Sequence, residues 1–327
     1  LKDLDRLESL NLTGSTIDDR SLMHLAALPR LSTLDLSYCR NLTPACVATL
    51  AKYAALRELS LPEAGIRVPQ LVRLAQALPV SRIVMPKMEL SSAEFICRDE
   101  SVTDEDLAAL ATLTGLQQVA LESCPQVTDA GLAAIGRLQR LDELTLVGCQ
   151  ATSRGFEELA KLPKLLRLTV RQVELSSESV HSLSTMPELF NLDLQATAPL
   201  SALMQLVAKR PEIAIQCRQG SLAADEMLLS IDREALPEVA ALDRVAELSV
   251  LRVECRCGVD EFLQRLPRLP RLEQLELAGT RKQPESLERL GRQPQLRSLK
   301  AAFEPRPSEE VLSRWREEMP QLEIQLR

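Results

Sequence analysis

The frame L-x-x-L-x-L returns along this chain as LESLNL at 7, LSTLDL at 31, LRELSL at 56, LQQVAL at 116, LDELTL at 141, LLRLTV at 165, LFNLDL at 189, VAELSV at 245, LEQLEL at 272 and LRSLKA at 296. Most intervals are 24 or 25 residues. A period of that length defines one supersecondary unit, which has too little apolar surface to bury by itself and must stack on its neighbours. Composition agrees. Hydrophobic residues make up 45% of the chain but aromatics only 2%, so Leu, Ala, Val and Ile must fill a thin, regularly layered core.

One period shows how the unit is built. In LQQVALESC, Leu116, Val119 and Leu121 alternate with polar neighbours, as a strand with one buried face requires. Thr128 or Asp129 then offers an N-cap oxygen, and Leu132, Ile135 and Leu138 follow at helical spacing. In the second unit, Thr43 followed by Pro44 reads as an N-cap with proline in the first helical position. The ninth place of the frame, which closes the turn out of the strand, is cysteine at Cys39, Cys124 and Cys149.

With this frame, period and ninth-place cysteine, the chain resembles the leucine-rich repeat family over nearly its full length. It is most similar to the cysteine-containing, F-box-associated type and to bacterial leucine-rich repeat proteins. The resemblance implies an α/β fold, a right-handed solenoid or horseshoe with a parallel sheet on the concave face and helices on the convex face. It also implies that the ninth-place cysteines pack inward beneath the loop. Residues 1–327 read as a single domain of about fifteen strands, with irregular coils near 80–91 and 210–244 and a C-terminal cap near 307–327. Between Val80 and Ser91 the frame gives Ile83, Met85 and Leu90 but no helix, so a short coil is expected there; EIAIQC and MLLSID read as strands of the second irregular zone. The first coil begins at once with Leu7, Leu10 and Leu12, and the chain starts at Leu1, so an N-terminal cap or further domain is expected to precede it.

Chemistry-bearing motifs are sparse. The two histidines, His24 and His181, fall in helical return segments some six coils apart and read as solvated surface residues. No phosphate loop, dinucleotide fingerprint, zinc-hydrolase helix or hydrolase elbow is present, so no enzyme activity and no cofactor are expected. The eight cysteines lack the paired spacing of structural zinc; Cys255 and Cys257, two apart on a strand, should divide into one buried and one exposed thiol. A Cys124–Cys149 bridge is imaginable between adjacent coils, but buried free thiols are the better reading, and a cytoplasmic location goes with them. A net charge of −7, with 39 basic against 46 acidic residues, disfavours nucleic acid as a partner. No apolar run reaches the roughly 18 residues needed to cross a membrane.

What remains is binding. The expected function is a protein–protein interaction module that engages a protein partner through its concave face. The alternative is the substrate-recognition or sensor arm of a larger enzyme such as a ubiquitin ligase, which the resemblance implies although the chain carries no F-box. The expected contact surface lies at the first irregular zone, where Val84, Ile96 and Ala120 form an apolar row across neighbouring coils and Arg82, Glu94, Arg98 and Glu122 border it.

Overall fold

The computed structural model describes residues 4–78, 82–279, 290, 293–301, 309–318 and 320–326. They fall into two compact units, one of Leu1–Val173 with Met186–Glu188 and the other of Glu174–Thr185 with Leu189–Arg327. The first unit carries strands β1 (Ser9–Asn11), β2 (Thr33–Asp35), β3 (Glu58–Ser60), β4 (Arg82–Val84), β5 (Met88–Leu90), β6 (Glu94–Cys97), β7 (Gln118–Glu122), β8 (Glu143–Val147) and β9 (Arg167–Glu174). Between them run helices α1 (Asp19–Leu25), α2 (Cys46–Leu50), α3 (Val68–Ala77), α4 (Asp104–Leu110), α5 (Asp129–Ile135) and α6 (Ser153–Leu159). Each strand pairs with the next in sequence, in parallel except around β5.

The coil of β7 and α5 behaves as its sequence requires. Leu116, Val119, Leu121, Leu132, Ile135 and Leu138 are all at most 1% exposed, and each such side chain removed from water contributes about 2 kcal/mol. Thr128 is the N-cap, accepting from the Ala130 amide at 3.3 Å. Asp129 has a different partner: its carboxylate accepts from the Thr152 amide at 2.7 Å, the Thr152 hydroxyl at 2.5 Å and the Gly155 amide at 3.1 Å, all in the following coil. Asp104 does the same for Thr128 and Gly131, and Asp19 for Thr43. A carboxylate ladder therefore stitches successive helix starts together, satisfying amides that a helix N-terminus leaves unpaired.

The second coil departs from its expected cap. Helix α2 begins at Cys46, not Pro44, because the preceding turn closes through i to i+3 bonds, Cys46 N to Thr43 O at 3.0 Å and Val47 N to Pro44 O at 3.4 Å. Thr43 still accepts from the Ala45 amide at 3.2 Å, so the capping oxygen is where the sequence placed it.

Out of five strands, β1, β2, β7, β8 and β9, the chain turns through a left-handed residue at the eighth place of the frame. Gly14, Tyr38, Ser123, Gly148 and Gln172 occupy it with φ between 55° and 70°. Cys39, Cys124 and Cys149 follow in the ninth place at 0%, 0% and 4% exposure, packed inward as expected.

The short coil expected near 80–91 is instead a reversed strand: β5 is antiparallel to both β4 and β6. In the second unit, helix α7 (Ser177–Leu183) precedes β10 (Asn191–Thr197), α8 (Leu200–Lys209), β11 (Ala214–Cys217), β12 (Gly220–Leu222) and β13 (Glu226–Ile231). There β12 is antiparallel to both β11 and β13, so EIAIQC and MLLSID are strands but a third lies between them. The two zones share one spacing. Ile83, Leu90 and Phe95 are paired across the first zone and Ile215, Leu222 and Met227 across the second, all buried. Nine residues separate β4 from β6 and eight separate β11 from β13, fewer than the dozen or so that a parallel crossover with its helix needs, whereas a hairpin out and back fits. A 3-10 helix at Leu236–Arg244 then leads into β14 (Val250–Cys255), α9 (Val259–Arg265), β15 (Gln274–Gly279) and β16 (Ser298–Ala301), with β13 to β16 parallel throughout. Of the expected cap near 307–327, the described part is helix α10 (Glu309–Glu318) and strand β17 (Glu323–Leu326), which is parallel to β16. The described strands number seventeen, two more than expected, and the reversed ones account for the difference.

Candidate interaction surface

Alternation along β6 to β9 turns Phe95, Cys97, Val119, Leu121, Leu144, Leu146, Leu168 and Val170 inward and leaves their neighbours on the solvent side of the sheet. Three rows result: Glu94, Gln118, Glu143 and Arg167; Ile96, Ala120, Thr145 and Thr169; and, beyond β6, Glu122, Val147 and Arg171. Ile96 and Ala120 are direct partners, half-buried, with Glu94 and Glu122 half-buried beside them and Arg98 exposed. The structure thus brings together five of the seven expected residues.

Val84 does not join them. Reversed strand β5 lies between β4 and β6, so Val84 pairs with Glu89 and Glu89 with Ile96. The expected apolar row is therefore interrupted by a carboxylate, because the sequence reading counted β4 and β6 as neighbours. Arg82 is drawn to the same group, its guanidinium 2.5 Å from Glu89 Oε1. The border is also more self-satisfied than expected. Arg98 Nε lies 3.0 Å from Glu122 Oε2, and an Arg167 nitrogen 2.8 Å from Glu143 Oε2. Exposed pairs of this kind are worth about 0–1 kcal/mol, so a partner can reorganise them at small cost.

A second feature of the first unit escaped the sequence reading. At the carboxyl ends of β2, β3 and β4 the loops enclose a half-open cleft of about 640 Å³, floored by Leu61, Val84 and Met85 and rimmed by Tyr38, Arg40 and Pro86. Tyr38 is 74% exposed although its backbone is left-handed, a conformation that costs a bulky residue. Glu63, also in the lining, is held by Lys87 at 2.9 Å, and that hydrogen bond and charge raise the Lys87 ammonium above its ordinary range. Behind the Met85–Met88 turn, burial pushes the Asp99 carboxyl up, but hydrogen bonds from Ser101 and the charges of Lys87 and Arg67 outweigh it and hold the group below the ordinary carboxylate range. The signal in the sequence was the eighth place of the frame, where Tyr38 stands in the slot that Gly14 and Gly148 fill elsewhere.

Other reactive groups are dispersed. His24 on α1 and His181 on α7 are both exposed. Among the described residues no group of three or more His, Cys, Asp or Glu side chains is disposed to hold a metal ion. No cysteine is bridged; Cys255 is buried as expected, but Cys257 is half-buried where an exposed thiol was expected, because β14 ends at Cys255 and strand parity no longer fixes the direction of its side chain. The thiol beside Cys124 is not Cys149 but Cys97, both sulfurs lying 3.9 Å from the Asp99 carbonyl oxygen. Among the described residues no helix is long and apolar enough to cross a membrane.

Strand, left-handed corner and helix, repeated with an inward leucine frame, define the α/β architecture of a leucine-rich repeat solenoid, and proteins built this way generally serve as protein-interaction modules. Among solved structures, the chain is similar to an internalin from Listeria monocytogenes, at 17% identity over 98% of this chain and 87% of that one, with a TM-score of 0.45. It is also similar to a leucine-rich repeat protein from Leptospira interrogans, at 15% identity over 99% and 91% of the respective chains, with a TM-score of 0.41. No protein-family model and no curated protein matches the sequence.

Proposed function

We propose that this protein is a binding module that engages a protein partner through the solvent side of its sheet at strands β6 and β7. The observation that supports the reading is the half-buried Ile96–Ala120 pair set among Glu94, Arg98 and Glu122, an apolar centre with a polar border. Arg82 and Val84 belong to the edge of this surface, beyond Glu89. The reading includes no catalytic step, since His24 and His181 lie on helices α1 and α7 and not on the sheet surface. It includes a reducing, cytoplasmic setting, in keeping with six buried thiols in structural positions.

The test uses the immobilised full chain to isolate a partner and then measures affinity for surface variants. Ile96→Asp and Arg98→Glu should each weaken binding about tenfold or more, and the helix-face control His181→Ala should leave it unchanged. Equal affinity for both sheet variants, with native circular dichroism, would place the contact elsewhere.

A further inference from the structure

We propose that the cleft beside Tyr38 is an anchor site, which takes one apolar side chain of a partner protein while an adjacent acidic residue of that partner pairs with Arg40. The proposal rests on the reading of the chain as a protein-binding module, and locates a second contact that meets the sheet surface only at its Val84 edge. Tyr38 carries the first part of the argument. In the left-handed slot a non-glycine residue costs roughly 1–2 kcal/mol; Gly14 and Gly148 avoid that cost, Ser123 and Gln172 bear it with small or flexible side chains, and Tyr38 alone of the five puts an aromatic ring there. Nothing inside the fold offsets that cost: the ring is 74% exposed and its hydroxyl makes no hydrogen bond among the described residues. A strained, exposed aromatic at the mouth of a cleft is placed for an external contact.

The chemistry of the walls identifies the occupant. Leu61, Val84 and Met85 give an apolar floor, and methionine adapts to differing side chains. Arg40 is exposed and pairs with no carboxylate among the described residues, while the acid in the lining, Glu63, is engaged by Lys87. The unanswered charge at the rim is therefore positive. The protein as a whole carries −7, but at physiological salt charges beyond about 8 Å are screened, so Arg40 governs what sits beside it. Tyrosine and arginine are also the residues enriched where protein partners are anchored. A volume of about 640 Å³ would hold a small molecule too, yet the open mouth and the Tyr–Arg rim suit a side chain presented on a polypeptide better than a ligand that must be enclosed.

The experiment selects short random peptides displayed on phage against the full chain, and measures the enriched ones by fluorescence anisotropy on the wild type, Tyr38→Gly, Arg40→Glu and Ile96→Asp. Enriched peptides should share an apolar residue next to or one removed from Asp or Glu. Tyr38→Gly should weaken them about thirtyfold and Arg40→Glu about tenfold, with Ile96→Asp unchanged. Tyr38→Gly relieves a strained backbone, so its loss of binding cannot be ascribed to unfolding, and thermal melting checks this. Peptides that ignore both cleft variants but fail on Ile96→Asp would overturn the anchor site and leave the sheet surface standing. Absence of any enriched peptide, or enrichment of basic ones, would also overturn it.

Discussion

A glycine at residue 131 is demanded by its neighbour more than by its own backbone. A Cβ there would lie 2.5 Å from Asp104 Oδ1, the oxygen that accepts from the Thr128 and Gly131 amides. Gly155 stands in the same relation to Asp129, at 2.6 Å. Gly131→Ala should therefore cost about 2 kcal/mol in urea unfolding, by forcing the carboxylate off its ladder. Asp104→Ala should cost about 1–3 kcal/mol by leaving those amides unpaired. Together they should cost clearly less than their sum, because the side chain that clashes is gone in the double variant; strict additivity would refute the ladder. At the eighth place the sign reverses. Glycine removes a strain of about 1–2 kcal/mol and adds about 0.5–1 kcal/mol of backbone entropy, so Tyr38→Gly should raise stability by about 0.5 kcal/mol. The sequence showed the glycines and the tyrosine in the same register. It did not show which places were left-handed, since that follows from how the corner closes over the ninth-place residue, which is Cys39, Cys124 or Cys149 in three coils but Ser15 and Val173 in two others.

Among elements, the coils with full return segments were legible because leucine spacing and capping residues repeat the same information. Frame leucines at 116, 121, 141, 144 and 146 are all at most 0% exposed, and each follows from the period alone. The reversed strands β5 and β12 were not legible. Three residues such as Met88–Leu90 or Gly220–Leu222 are too short to display a period of two, and one inward leucine in each looks like a frame position of a parallel coil. For the candidate surface this mattered directly: Ile96, Ala120 and their charged neighbours were correctly grouped from strand parity, whereas Val84 was misplaced by one whole strand. The hairpin in the second zone depends on Gly220, whose φ is +135° and whose Cβ position lies 1.8 Å from the Leu228 carbonyl oxygen. No side-chain rearrangement relieves a clash with backbone. Gly220→Ala should thus cost more than about 4 kcal/mol, read as a large fall in thermal midpoint. A midpoint within a few degrees of wild type would mean that β12 does not run between β11 and β13.

At the scale of the whole molecule, stacking coils buries titratable groups that a single coil would leave at its surface, and their titration becomes a property of folding. In the first unit, burial pushes the Cys149 thiol up to about 12, and burial with the nearby Asp19 charge does the same for Cys46. Burial also raises the Tyr53 phenol to about 12, where its hydroxyl donates to the Leu22 carbonyl. All three are neutral when protonated, and their folded values exceed the ordinary ones. Between the ordinary thiol value of 9.0 and about 12 the unfolded chain has therefore released protons that the folded chain retains. Stability depends on proton uptake as the difference between unfolded and native states, so it must fall as pH rises through that window and be fully present below it. Urea midpoints should be flat from neutral pH to about 8.5 and then decline steadily toward pH 11. Replacing Cys149 with alanine should flatten part of the decline even though it lowers stability at neutral pH through the lost packing. An unchanged alkaline slope in that variant would show that the corner thiol does not titrate from a buried site.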